Sequence, residues 1–254
     1  MWIDSHCHLD ATEFDADRAQ VAAAAQAAGV SRLIVPAVAV DLFPSMRAVC
    51  RHYPGCAPAY GIHPLYVGRA RPDDLATLRQ WLRDEPAVAV GEIGLDHFAP
   101  GADWQLQEWW FVEQLKIARE FELPVLLHVR RAIDPILKQL RRLKVVGGIA
   151  HAFNGSRQQA DEFIKLGFKL GFGGTLTYPG SSRIRALARE LPLDSIVLET
   201  DAPDIPPAFA PRQRNEPANL PRFGAELAAL RGIALAEVRT ASSANVHAVL
   251  PRLS

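Results

Sequence analysis

Eight short apolar runs recur along this chain, each separated from the next by a stretch whose apolar residues fall at helical spacing. The runs span 2–8, 32–38, 57–63, 87–93, 124–129, 147–152, 168–173 and 195–201. Most are continuously apolar rather than alternating, which is how strands covered on both faces read. Between them the pattern predicts helices over 15–28, 41–53, 73–84, 103–121, 132–143, 156–166, 181–190 and 217–230. A last helix over 235–249, broken near Ser242, follows. Gly29, Pro54, Pro86 and Pro124 supply stops, and Ser156 an N-cap. Eight strand–helix units in 254 residues predict one domain over 1–254, an α/β fold of the (β/α)8 TIM-barrel type. The rival, a doubly wound open sheet, needs a glycine-rich turn after its first strand, and H-C-H-L-D stands there instead.

Six side chains able to ligate metal sit at the ends of these runs: His6, His8, Glu92, His128, His151 and Asp201. One histidine after an apolar run is usually a packed core residue. Six such groups at strand C-termini converge on one mouth in a barrel, where the active site of that fold lies. Imidazoles and carboxylates without a thiolate cluster have the composition of a divalent-metal site. His6 and His8 share a face if their segment is extended; on a helix they would diverge by roughly 200°. Glu92 is the natural bridge between two ions, since a carboxylate offers two oxygens and an imidazole one free lone pair. Paired ions of this kind deprotonate a water and clamp a leaving oxygen.

Net charge is zero, with 28 basic and 28 acidic residues, which argues against a broad nucleic-acid footprint and leaves room for a local basic rim. The three cysteines form no disulfide framework and fit a reducing compartment, so a cytoplasmic location is expected. Cys7, between the two histidines, is read as barrel-wall packing. A ligand candidate already at position 6 leaves no room for a signal peptide, and no apolar run reaches the ~18 residues of a membrane span. No sticky apolar stripe stands out, and a monomer is expected. The proline-rich stretch 203–221 reads as a long loop over the mouth.

The motifs D-S-H-C-H-L-D at 4–10, Y-G-I-H-P at 60–64, G-E-I-G-L-D at 91–96 and L-P-V-L-L-H-V-R-R-A at 123–132 are followed by four others. These are H-A-F-N-G-S at 151–156, G-F-G-G-T-L-T-Y-P at 171–179, L-E-T-D-A-P at 198–203 and R-N-E-P at 214–217. Together they resemble the TatD family of metal-dependent deoxyribonucleases, within the amidohydrolase-like barrels, over nearly the whole chain. The resemblance implies that His6, His8 and Asp201 bind one ion, that His128 and His151 bind a second, and that Glu92 bridges them. It implies Mg²⁺ or Mn²⁺, with Zn²⁺ tolerated, one or two ions per chain. It also implies hydrolysis of phosphodiester bonds in single-stranded DNA from the 3′ end. Val129 and the pair Asn154–Gly155 depart from the family's usual residues at positions where substrate would lie.

The expected mechanism has a metal-held hydroxide attacking phosphorus, with Asp201 as the base. His63, Arg130, Asn154 and Thr175 are the candidate substrate contacts; for His63 the bland alternative is packing behind the ligands, and for Arg130 an ion pair with a neighbouring loop. Asp4, Asp10 and Asp96 are candidates for orienting the histidines. Asp204, Arg212 and Arg214, on the long loop, read as surface groups. His97 reads as a rim residue, and Trp109 and Trp110 as helix packing against the barrel. Two rival functions stand beside this one: hydrolysis of a small amide, lactone or phosphoester on the same metal site, and a barrel that binds metal or a partner without turnover.

Overall fold

The computed structural model describes residues 1–253; Ser254, the last residue of the expected domain, lies outside them. Among the described residues eight strands pair in parallel in the order of the sequence. They are β1 (Trp2–Asp4), β2 (Val30–Pro36), β3 (Cys56–Tyr60), β4 (Ala89–Asp96), β5 (Val125–Arg130), β6 (Gly148–Ala150), β7 (Phe168–Phe172) and β8 (Ile196–Leu198). The first and last are stitched past their ends: the Ser5 N–H donates to Leu198 O (3.0 Å) and the Asp201 N–H to His6 O (2.8 Å). Those two bonds close the sheet into a (β/α)8 barrel. The helices are α1 (Arg18–Ala27), α2 (Phe43–His52), α3 (Asp74–Asp84), α4 (Trp104–Glu120), α5 (Ile133–Leu143), α6 (Arg157–Lys165), α7 (Ser182–Glu190), α8 (Leu220–Arg231) and α9 (Leu235–Val249).

Alternation along each strand divides the core in two. Ile3, Ile34, Ala59, Ala89, Leu126, Ile149 and Val197 point into the barrel and share one apolar cluster with Val246, Val249, Leu250 and Leu253. The C-terminal segment thus plugs the end of the barrel away from the mouth. Their sequence neighbours Leu33, Val35, Val90, Val125, Leu127 and Leu198 face outward and pack under the helices. Cys7 is fully buried in this outer layer, as expected.

The structure corrects several bounds. Strands β1, β6 and β8 are three residues each, although backbone hydrogen bonds to neighbouring strands continue past their ends. His6, His8, His63, His151 and Asp201 therefore stand just beyond strand ends, while Glu92 sits within β4, which runs on to Asp96. α8 begins at Leu220 after a 3-10 turn at Pro217–Asn219. α9 runs unbroken through Ser242, whose buried hydroxyl donates to Arg239 O. Ser156 caps α6 in a reciprocal box with Gln159. Trp110 is buried but Trp109 is exposed, since adjacent helical residues point about 100° apart. No helix among the described residues is long and apolar enough to cross a membrane.

Candidate metal centre at the barrel mouth

All six expected ligands meet at one point. Glu92 lies at its centre, 2 % exposed, and its two oxygens face different neighbours. Oε2 is 3.2 Å from His6 Nε2 and 3.6 Å from His8 Nε2. Those imidazole nitrogens are 3.2 Å from each other, and 3.6 and 3.8 Å from Asp201 Oδ1. Oε1 is 2.9 Å from His128 Nδ1 and 3.1 Å from His151 Nε2. Ligand atoms each about 2.1 Å from a common ion stand roughly 3.0–3.4 Å apart, so these spacings are close to those of a filled coordination shell. Several lone pairs converging in a buried space, with few hydrogens to share between them, fit a divalent cation. His6, His8 and Asp201 group on the Oε2 side of Glu92, and His128 and His151 on the Oε1 side.

His63 comes within 3.0 Å of His128 Nδ1 and 3.6 Å of Glu92 Oε1. It has the distance of a third ligand on that side, but its hydrogen bonds argue otherwise. The Leu65 N–H donates to His63 Nδ1 (3.1 Å), so in the neutral ring Nε2 carries the hydrogen. Burial drives this imidazole down to about 3, which keeps it neutral. His63 is thus a donor at the edge of the centre.

Charge follows the geometry. Burial alone would raise Glu92, but the surrounding imidazoles, His6 foremost, outweigh it and hold the carboxylate well below its usual range. Burial pushes His8 down, and the opposing pull of Glu92 and Asp201 brings it up to about 9. Asp201 takes a left-handed backbone (φ 56°) beyond β8, tolerable for Asp, and its side chain stays 13 % accessible.

Of the three aspartates proposed to orient histidines, only Asp96 bonds an imidazole ring. Asp96 Oδ2 accepts from His128 Nε2 (3.0 Å) while its Oδ1 accepts from the Phe98 and Ala99 N–H groups. Asp4 accepts from the backbone N–H groups of His6 (3.2 Å) and Thr200 (2.9 Å) and from the Thr200 hydroxyl (2.5 Å), which fixes the first motif to the last but leaves the His6 ring Nδ1 without a partner among the described residues. Asp10 bonds none of the site histidines, and its Oδ1 has no partner. The sequence reading missed Glu199. Fully buried, it accepts from the Ala152 N–H (2.5 Å) and the Ser5 hydroxyl (3.4 Å) and lies 3.7 Å from His151 Nδ1. Its only sequence signal is a charged residue two positions before Asp201, hence on the same face of an extended segment.

Above the centre opens a cavity of about 950 Å³. His63, Arg130, Asn154 and Thr175 all line it, together with Asp204 and Arg183, which sequence reading did not single out as a site residue. Arg183, on α7, donates twice to Asn154 Oδ1 (2.6 and 3.1 Å) and so fixes that amide. Arg130 is exposed, with Asp96 at 4.0 Å as its nearest carboxylate. His97 stacks on Trp104 beside the rim (4.3 Å). A cleft of about 1010 Å³ at the opposite end of the barrel holds none of the clustered ligand groups, so the chemistry is at the mouth.

Known proteins resemble this chain over nearly its whole length. Residues 3–251 match the family model described as TatD related DNase. The uncharacterized metal-dependent hydrolase YjjV of Escherichia coli K12 is 42 % identical over 233 residues, 91 % of this chain and 90 % of that protein. The crystal structure of YjjV, a TatD homologue, superposes with a TM-score of 0.95 over 98 % of each chain at 39 % identity. A protein of Cronobacter sakazakii named 3′-5′ ssDNA/RNA exonuclease TatD is 35 % identical over 257 residues, 95 % of each chain. The chain belongs to the TatD family of metal-dependent hydrolases.

Proposed function

We propose that this hydrolase cleaves phosphodiester bonds of single-stranded DNA, working from the 3′ end. The observation that carries the reading is Glu92, with one oxygen turned to His6 and His8 and the other to His128 and His151, beneath a mouth that presents Arg130 and Arg183. Two relatives named 3′-5′ ssDNA/RNA exonuclease support the substrate class. His6, His8 and Asp201 would hold one divalent ion, His128 and His151 a second, with Glu92 between them. Such ions, Mg²⁺ or Mn²⁺ by the hardness of the carboxylates, acidify water towards neutral pH and offset charge on phosphoryl oxygens.

The chain's own groups do the rest. Asp201, accessible from the cavity, takes the proton of the attacking water as its oxygen bonds to phosphorus and the bond to the leaving ribose oxygen breaks. His63, neutral with hydrogen on Nε2, donates to a phosphate oxygen. Arg130 offers a two-pronged contact to the phosphate, and Asn154, held by Arg183, keeps its amide N–H groups for substrate. Thr175 adds a hydroxyl from the far wall.

The test is a time course on a single-stranded oligonucleotide labelled at its 5′ end, with Mg²⁺, Mn²⁺ or EDTA, beside Asp201→Asn. The reading expects a ladder shortening from the 3′ end that EDTA and the substitution abolish. An intact oligonucleotide with metal bound overturns it and directs the search to small esters and amides.

A further inference from the structure

The rim carries a second constellation, of which the hydrolytic centre uses only Arg130. Phe98, 43 % exposed, lies under two guanidinium groups: Arg130 at 4.0 Å and Arg131 at 4.5 Å from its ring centroid. All three residues line the mouth cavity. Consecutive residues of a strand point to opposite faces, so β5 continued regularly would separate these arginines. Instead β5 ends at Arg130, and Arg131 takes a left-handed backbone with φ 55°. Residues other than Gly, Asn and Asp rarely adopt that conformation. Both cations are thereby brought onto one ring at the edge of the site.

The pairing is unfavourable without an anion. Two guanidinium groups repel, and the carboxylates available are few. Asp96 is 4.0 Å from Arg130 and already accepts from His128 and two backbone N–H groups. Arg131 has no ion-pair partner among the described residues. Asp134, on the same wall, is engaged by Gln159. The support is also rigid: Asp96 Oδ1 holds the Phe98 N–H while its Oδ2 holds His128, so one carboxylate sets the ring and a candidate ligand in a fixed relation.

We propose that Arg131, held beside Arg130 by Phe98, forms a subsite for a second, non-scissile phosphate of the bound strand. This rests on the phosphodiesterase reading and deepens it. A guanidinium fork matches phosphate oxygens, and its ring support leaves the N–H edge free to point outward. A substrate with several phosphates engages the subsite, whereas an isolated phosphodiester reaches only the centre. Phe98 acts as a positioning residue for the two cations.

The test uses the whole protein and two substrates, a single-stranded oligonucleotide and bis(4-nitrophenyl) phosphate, which has one phosphate. Binding of a fluorescein-labelled oligonucleotide is followed by anisotropy in EDTA across a salt series, and hydrolysis in Mn²⁺. Arg131→Gln is expected to weaken oligonucleotide binding and raise its KM roughly five- to tenfold at unchanged kcat. The salt slope of log K should become shallower by about 0.7, the value for neutralising one phosphate fewer on a single strand. Turnover of bis(4-nitrophenyl) phosphate should stay within about twofold of the parent. Phe98→Leu should reproduce the KM effect and Phe98→Tyr reverse it, which a packing defect alone would not do. An unmoved slope and KM, or an equal loss on both substrates, overturns the subsite. A parent protein that hydrolyses bis(4-nitrophenyl) phosphate yet neither binds nor cuts the oligonucleotide overturns the nuclease reading instead.

Discussion

Gly171 is the space into which Glu199 folds: a Cβ built on Gly171 would stand 2.1 Å from Glu199 Oε2 and 2.6 Å from Oε1. This close approach explains a glycine in the middle of β7, where a side chain would ordinarily aid packing. It also shows how the eighth strand supports the sixth. Glu199 reaches past Gly171 to the Ala152 N–H, and Ala152 follows His151 at a left-handed φ of 46°. Gly171→Ala is therefore expected to displace the carboxylate, release that turn and loosen His151. Urea unfolding should show a loss of about 1–3 kcal/mol. A Mn²⁺ titration should show affinity lower by roughly 10–100-fold, the usual cost of removing support behind a ligand. Unchanged affinity would separate Glu199 from the metal site.

Asp96 connects His128 to the Phe98 turn, and its carboxylate charge is what lets one side chain serve both. Burial would raise it, but the His128 hydrogen bond and the Phe98 N–H bring it down to about 2. In Asp96→Asn the amide oxygen stays on the Phe98 and Ala99 N–H groups only by turning its own N–H groups to His128 Nε2. The His128 ring must then rotate or change tautomer, which alters the atom that faces Glu92. Metal affinity is expected to fall roughly 10–100-fold with a smaller change in thermal stability. Calorimetric titration with Mn²⁺ beside a melting curve distinguishes this from general unfolding.

The chemistry of this site was legible because ligand-type residues are conspicuous after apolar runs, and because a barrel sends all strand ends to one place. His6, His8, Glu92, His128, His151 and Asp201 could each be picked out on those grounds. What the pattern could not give was the end of each strand. β1, β6 and β8 are regular over three residues only, and an apolar run does not record where the regular ladder ends. Trp109 and Trp110 show a related limit: two adjacent aromatics on a helix cannot both face the barrel, and nothing local says which does. Glu199, Arg183 and Phe98 act through residues distant in sequence, so their roles required the folded chain.

Metal binding should stabilise this fold measurably. The cluster holds Glu92 ionised among imidazoles in a buried space, and cations that bind the folded form alone shift the unfolding equilibrium. Mn²⁺ at a hundred times its dissociation constant is expected to add about 2.7 kcal/mol, or roughly 5–10 °C in Tm for a chain of this size. EDTA should reverse the shift. Glu92→Gln should abolish most of it, since that residue faces both halves of the site. A Tm indifferent to Mn²⁺ in the parent protein would argue against the centre as described.

The loop after β8 is anchored on the loop that joins β1 to α1, and the anchor makes its stability depend on pH. Arg214, read from sequence as a surface group, instead donates to both Asp17 oxygens (2.9 and 2.5 Å), to Glu216 (3.1 Å) and to the Glu13 carbonyl. Its guanidinium also lies 4.5 Å from the centroid of the Phe14 ring. The Arg214 hydrogen bonds hold Asp17 below its ordinary carboxylate range. A carboxyl group depressed on folding contributes stability that is present above its unfolded value, near 3.9, and is lost as pH falls through the folded one. Asp17→Asn should therefore lower Tm at pH 7, and the gap between it and the parent should close as pH falls below about 4. The pair is largely solvated, so the difference should be small and shrink with salt. Melting curves of both proteins from pH 7 to pH 3, at low and high salt, measure it. A gap that persists undiminished into acid would assign the effect to packing around Phe14 rather than to the ion pair.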